Sequence, residues 1–249
     1  MIKAVTRSIS IIGCIAVFSG TLFAEPFSVI DSFRVRIKAL ASMSASIERV
    51  QVYRGVRRAS TGALQFDLHY GSVYNWSQPG KYRFFRSVYG ACGVDMNKQT
   101  GWRTTVGTPD LAVAREIDPL YRFLHIADIP AAKIAYRGNK GDMLVFSTSL
   151  GVGKQLCFSF DASSCRCLVA EMIDDDGVVS EKTKFIYNEK RKGQIVPDAM
   201  VITSVVGHEV AVDSLVFTRE TFNRKIDKEI FAIPREISWN DEVRLALPY

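Results

Sequence analysis

Histidine is scarce: 3 occur in 249 residues, at His69, His125 and His208. None stands beside a serine or cysteine in a nucleophile elbow, and no G-x-S-x-G occurs, so the common hydrolase arrangements have nothing to build on. His69 falls on the polar side of an alternating stretch, His208 in a turn and His125 at the end of a helical pattern, which are surface or capping positions. Cysteine is limited to 5, and "CRC" (165–167) is one residue too tight for a zinc knuckle and has no histidine close by in sequence, so no metal site is expected. The formal net charge of +6 is spread thinly, without a Lys/Arg block or interleaved aromatics, which removes nucleic acid as a partner. "DDDG" (174–177) lacks the spacing of a calcium loop, and "GVGK" (151–154) lacks the full phosphate-loop spacing and precedes a strand pattern, so both read as turns. With no nucleophile, metal or phosphate site, the chain does not read as an enzyme, and no cofactor is expected. No Ser/Gly/Pro linker and no internal repeat divides residues 25–249, which predicts a single domain.

What is present begins with a leader. Lys3 and Arg7 precede an apolar run from Ile9 to Phe23, and "TLFAEPF" offers a cleavage point at Ala24 before Glu25. This is the layout of a secretory signal peptide over residues 1–24, and the run is too short for a bilayer, which needs about 20 apolar residues. "IIGC" (11–14) is an alternative, a lipobox with Cys14 as the lipidated residue; a retained anchor helix is a third. The chain as a whole has an ordinary globular composition, 47% hydrophobic and 23% charged, which excludes disorder over most of its length.

The dominant pattern after the leader is period 2. In "TGALQFDLHYGSVYNWSQPGKYRFF" (61–85), Leu64, Phe66, Leu68 and Tyr70 alternate with Gln65, Asp67 and His69. Tyr74 and Trp76 follow Gly71, and Tyr82, Phe84 and Val88 resume after Pro79-Gly80. Each segment reads as a strand with one apolar face. The grammar repeats over 142–150, 154–160, 165–173, 183–189, 199–206 and 210–220, with turns between. Two helices are expected. One spans 28–50, with Ser28 as cap and Ile30, Phe33, Ile37 and Leu40 on one face; the other spans 108–126, starting at Thr108 and Pro109 and broken by Pro119. The fold class is therefore mainly β (α+β): a large curled antiparallel sheet covered by helices or enclosing a cavity.

Cys92, Cys157, Cys165 and Cys167 remain after the leader, and an exported chain permits disulfides. If Asp161 to Ser163 form a hairpin loop, Cys157 faces Cys167 as a cross-strand pair; a one-residue slip removes it.

Four short stretches, in order, resemble the LolA family of periplasmic outer-membrane lipoprotein carriers. "GALQF" (62–66) resembles the family's G-x-L-x-apolar strand, "QPGKYRFF" (78–85) its Pro-x-Lys-Phe-Arg-Trp segment, and "MNKQTGWRT" (96–104) its turn and strand, with Trp102 in the tryptophan position. "NRKIDKEIFAIPRE" (223–236) resembles its closing segment, with Phe231 and Pro234 matching. The resemblance runs from about 28 to 236. It implies an incomplete barrel with helices as a lid over an apolar cavity, whose wall would include Leu64, Phe66, Trp76, Tyr82, Phe84, Trp102, Leu111, Tyr121, Leu124, Phe146 and Phe158. It implies a monomeric periplasmic carrier that takes lipoprotein acyl chains, or another lipid, from an inner-membrane lipoprotein-releasing transporter to an outer-membrane acceptor. Two alternatives are a LolA-like sensor module of envelope-stress regulation and an outer-membrane-anchored lipoprotein acceptor. One departure is clear: the arginine that the family carriers often place before the proline, where it holds the lid closed, is Gln78 here. Within this frame Phe66 and Phe84 are both expected to face the cavity and not a packed core.

Intact-mass analysis of the mature protein checks the export reading. A chain beginning at Glu25 is expected; a diacylated Cys14 would make it an anchored acceptor instead.

Overall fold

The structure, a computed structural model, describes residues 26–87, 90–104, 118–151, 153–191, 193–232 and 236–240. The leader with Cys14 and Ala24, Val88, Leu111, the start of the helix expected over 108–126, and Pro234 lie outside the described residues.

The chain opens with α1 (Pro26–Lys38), whose Val29, Ile30, Phe33 and Ile37 are buried. The helix stops well short of residue 50. From Ser42 the apolar residues change from a 3–4 spacing to strict alternation, Met43, Ala45 and Ile47 between Ser42, Ser44, Ser46 and Glu48, and the chain becomes β1 (Ser42–Tyr53). A two-residue turn with positive φ at Arg54 (52°) and Gly55 (72°) returns it as β2 (Val56–Asp67), the left-handed pair that matches strand twist. The strand expected from Thr61 thus starts five residues earlier, and it ends before Leu68 and Tyr70, which lie exposed in the next turn.

A meander continues through β3 (Gly71–Gln78), β4 (Tyr82–Ser87), β5 (Gly90–Asp95) and β6 (Thr100–Arg103). After α2 (Tyr121–Asp128) come β7 (Ala135–Lys140), β8 (Met143–Gly151), β9 (Lys154–Asp161), β10 (Cys167–Ile173), β11 (Val179–Ile186), β12 (Ala199–Val206), β13 (Glu209–Phe222) and the short β14 (Ser238–Asn240). Among the described residues all 14 strands form one sheet, in the order β14-β6-β5-β4-β3-β2-β1-β13-β12-β11-β10-β9-β8-β7. Every pairing is antiparallel except β14 with β6. The sheet ends at β7 and β14, so it is curled and open, as expected for the fold class. "DDDG" falls in the β10–β11 turn, and of "GVGK" Gly151 ends β8, Gly153 lies in a turn and Lys154 begins β9.

Each face of the sheet carries a buried cluster. On the inner face, Phe33 of α1 packs edge-on against Phe160 of β9, with centroids 5.1 Å apart, and against Phe123 of α2, at 5.3 Å. Phe123 in turn meets Phe185 of β11 at 5.2 Å. Side chains of this size each contribute about 1.5–3 kcal/mol when fully buried. The outer face carries a smaller cluster, Val73, Phe85, Cys92 and Val94, capped by Phe231, Ile237 and Trp239 from the C-terminal segment. The Phe231 that matched the family's closing motif is therefore a plug on the back of the sheet.

The cross-strand cysteine pair is a correction. Asp161 accepts from the backbone N–H groups of Ser163 and Ser164, the loop extends to Arg166, and a bulge follows Cys167. Cys167 consequently sits opposite Phe160 on the inner face, while Cys157 sits opposite Glu171 on the outer one. Cys92, Cys157, Cys165 and Cys167 are free thiols.

Burial pushes the Cys92 thiol up to about 12, against the opposing pull of Arg83 and Arg103, and pushes Cys167 up as well. Thiolate, the reactive form, is therefore minor at both at pH 8. In native protein these two should react with iodoacetamide slowest. A non-reducing peptide map should lack the 157–167 crosslink; finding it would contradict the register.

Candidate functional site

The inner face is apolar at one end and polar at the other. Along β1 its residues run Met43, Ala45, Ile47 and then Arg49 and Gln51; along β13 they run Phe217 and Leu215 to Asp213. The helices lie over the apolar end. α2 is fixed there by Asp118, which is 0% exposed. One carboxylate oxygen accepts from Ser72 Oγ at 2.7 Å and Arg86 Nε at 2.6 Å. The other accepts from Tyr74 Oη at 2.7 Å and from the backbone N–H of Tyr121 at 3.1 Å, the latter capping α2. The Arg86 guanidinium also lies over the Tyr121 ring, 4.2 Å from its centroid. Burial, and then the charge of Asp118, hold the Tyr74 phenol well above its usual range. Burial by itself would lower the Arg86 pKa; the ion pair with Asp118 outweighs it and raises it. Where Gln78 leaves no arginine before Pro79, the cation joining the strands to the helix segment is thus Arg86, from β4. A second tie joins Arg122 of α2 to Glu181 of β11.

Two cavities open at the polar end, where the helices no longer cover the sheet. One, about 370 Å³, is lined by Arg49, Gln51, Arg58, Ala59, Ser60, Trp76, Gln78, Pro79, Tyr82 and Phe84. The other, about 310 Å³, lies between the β1–β2 and β12–β13 hairpins and reaches Arg122, Glu181 and Asp213. Both volumes fall in the range of small-molecule sites, about 300–1,000 Å³. Gln51 and Arg58 border both. Arg49 borders the first and its partner Asp213 the second, so their ion pair, with Arg49 Nε 3.0 Å from each carboxylate oxygen, stands where the two meet. Arg49 also lies 5.9 Å from the Trp76 ring centroid.

Of the residues expected on the wall, Trp76, Tyr82 and Phe84 line the larger cavity. Trp102 packs against Phe84 on its far side, with centroids 6.4 Å apart. Tyr121 belongs to the Asp118 anchor. Leu64, Phe66, Leu124, Phe146 and Phe158 are closed core. Phe66 and Phe84, expected to act alike, are separated by this: Phe66 is 5% exposed between Met43 and Ser72, whereas Phe84 is half-buried against open space. The polar lining, Arg49, Gln51, Arg58 and Asp213, was not expected as site material. Its signal in the sequence was the loss of apolar residues at alternate positions after Ile47, hidden by the helical reading of that stretch.

No family model matches the chain, and no curated protein matches it. Solved structures do. A domain described as an outer membrane lipoprotein-sorting protein domain, from Vibrio parahaemolyticus, is 10% identical with a TM-score of 0.59, covering 82% of this chain and 95% of its own. A LolA superfamily protein from Nitrosomonas europaea is 11% identical with a TM-score of 0.55, covering 82% and 97%. The chain has the LolA-like fold. A DUF1329 family protein from Desulfovibrio piger, 12% identical with a TM-score of 0.61 over 84% of this chain and 98% of its own, shares the same arrangement. In a LolA-like fold, the cavities of this chain lie on the inner face of the open sheet beside its helices. Among the described residues no helix is long and apolar enough to cross a membrane.

Asp118→Ala leaves Arg86 without its carboxylate and Ser72, Tyr74 and the α2 N-terminus without an acceptor. Removing one member of a buried ion pair costs about 3–5 kcal/mol, and urea unfolding of the variant should show a loss of that size. A loss under about 1 kcal/mol, the scale of exposed pairs, would mean that the carboxylate does not hold the helix.

Proposed function

We propose that this chain is a non-catalytic carrier of acyl chains, exported with cleavage near Ala24 and acting as a monomer of one domain over residues 25–249 in the periplasm. Its cargo is the acyl portion of lipoproteins or another lipid, received from an inner-membrane releasing transporter and delivered to an outer-membrane acceptor. The observation that carries this reading is the aromatic wall formed by Trp76, Tyr82 and Phe84, which borders a cavity of about 370 Å³ at the open end of an inner face whose other end is closely packed. A preformed apolar surface of this kind suits the binding of an apolar ligand. The energetics of acyl transfer agree with it. Each buried methylene is worth about 0.8 kcal/mol, so an acyl chain cannot cross water unprotected but is held well by a shaped apolar wall. The LolA-like fold supports the reading, since the Vibrio relative is described as a lipoprotein-sorting domain.

Two substitutions test this. Phe66→Ala, in closed core, should cost about 3–5 kcal/mol because lost transfer energy and a new void add together. Phe84→Ala already borders a void, so its stability loss should be well under half of that. Binding of a fluorescent fatty acid should respond in the opposite order, with Phe84→Ala weakening it by roughly 10-fold, or about 1.4 kcal/mol. Core-like destabilisation by both variants, with no probe binding to the unaltered protein, would end the carrier reading.

A further inference from the structure

Four arginines border the two cavities, and three are matched by acids. Arg49 pairs with Asp213 at 2.5 Å, Arg54 with Glu209 at 2.6 Å, and Arg122 with Glu181. Arg58 has no acidic partner among the described residues. Register puts it on the inner face, opposite Gln51 across the β1–β2 ladder, and the pair borders both cavities. Among the described residues no aspartate or glutamate lines the larger cavity. Its other basic residue, Arg49, is already held by both oxygens of Asp213. One guanidinium without an acidic partner therefore lines, on its exposed side, a cavity that Trp76, Tyr82 and Phe84 also line.

We propose that Arg58 is the headgroup residue of this cavity, and that the ligand is an amphiphile with an oxyanion head, a carboxylate or a phosphate, whose chain lies along Trp76, Tyr82 and Phe84. The inference rests on the acyl-chain reading of the cavity and narrows it from any lipid to those with an anionic head. Guanidinium offers paired N–H donors in the geometry that carboxylate and phosphate oxygens accept. Arg58 is exposed, so the head remains hydrated and its charge is not carried into the apolar interior. Gln51 and Ser60, on the same face, supply further donors beside it.

The test uses the whole mature protein and three ligands of one chain length: dodecanoate, dodecyl phosphate and dodecanol, each displacing a fluorescent fatty acid at low salt. The two anions should bind roughly 5- to 10-fold more tightly than the alcohol, the scale of one charge-assisted contact at a solvated site. Arg58→Gln should bring the anions down to the alcohol's affinity and leave the alcohol unchanged, and Arg58→Lys should restore part of the preference. Thermal unfolding of both variants controls for folding. A preference for only one anion supports the head site and identifies the source as a carboxylate or a phosphate lipid. Equal binding of all three by the unaltered protein, or equal loss of all three in Arg58→Gln, overturns the head site while the apolar cavity stands. Failure of all three to bind overturns the cavity reading together with it.

Discussion

An open sheet with one apolar face must cover that face, and among the described residues only two short α-helices are present to do so. They protect the part where β8, β9 and β11 present Phe146, Phe158, Phe160 and Phe185, and they leave uncovered the end where β1 to β3 present Arg49, Gln51, Arg58 and Trp76. The cavity follows from this shortage. Where cover is present, the sheet supplies aromatics; where it is missing, the sheet supplies guanidinium and amide groups that tolerate water, with aromatics between them. Lining of that mixed kind is stable when empty, because its polar groups are hydrated or paired, and still offers apolar area to a ligand.

Placement of the cover depends on charge. Asp118 is buried with four donors around it, which fills the acceptor capacity of a carboxylate. Because those donors come from β3, β4 and the start of α2, they fix both where the helix begins and which strands it begins over. Arg122 and Glu181 set its other side. Between them, the two ties span the sheet from β4 to β11, across strands that the chain reaches at widely separated points in its sequence.

The strands of this molecule were legible because a half-buried strand writes its pleat directly into the sequence, and 61–85 does so through Leu64, Phe66, Tyr74, Trp76, Tyr82 and Phe84. β1 was not, because Ile30, Phe33, Ile37 and Leu40 run into Met43 and Ile47 at spacings that also suit a helix; only the serines between them favour a strand. Alternation also says which face a residue occupies and not what stands opposite it. Phe66 and Phe84 carry the same signal, and the difference between packed core and open wall is made by helices distant in sequence. The cysteine register was lost to a local effect, the side chain of Asp161 organising a longer loop than the turn residues implied. Asp118 was unreadable as an anchor, since its partners Ser72, Tyr74 and Arg86 precede it by more than 30 residues.

The sheet order has a consequence for how the molecule is made. β1 to β6 and β7 to β13 are two meanders built from neighbouring hairpins, and in the sheet they join where β1 pairs with β13. That seam links Met43 to Phe222, almost the whole described length of the chain. When the chain is delivered N-terminus first, β1 arrives well before β13, and the early meander has to wait with one long edge unpaired. Non-local pairing of this kind makes folding slow and leaves an interval in which strand edges are open to aggregation. Covering the β1 edge until β13 arrives would therefore protect the yield of this protein at its most exposed stage.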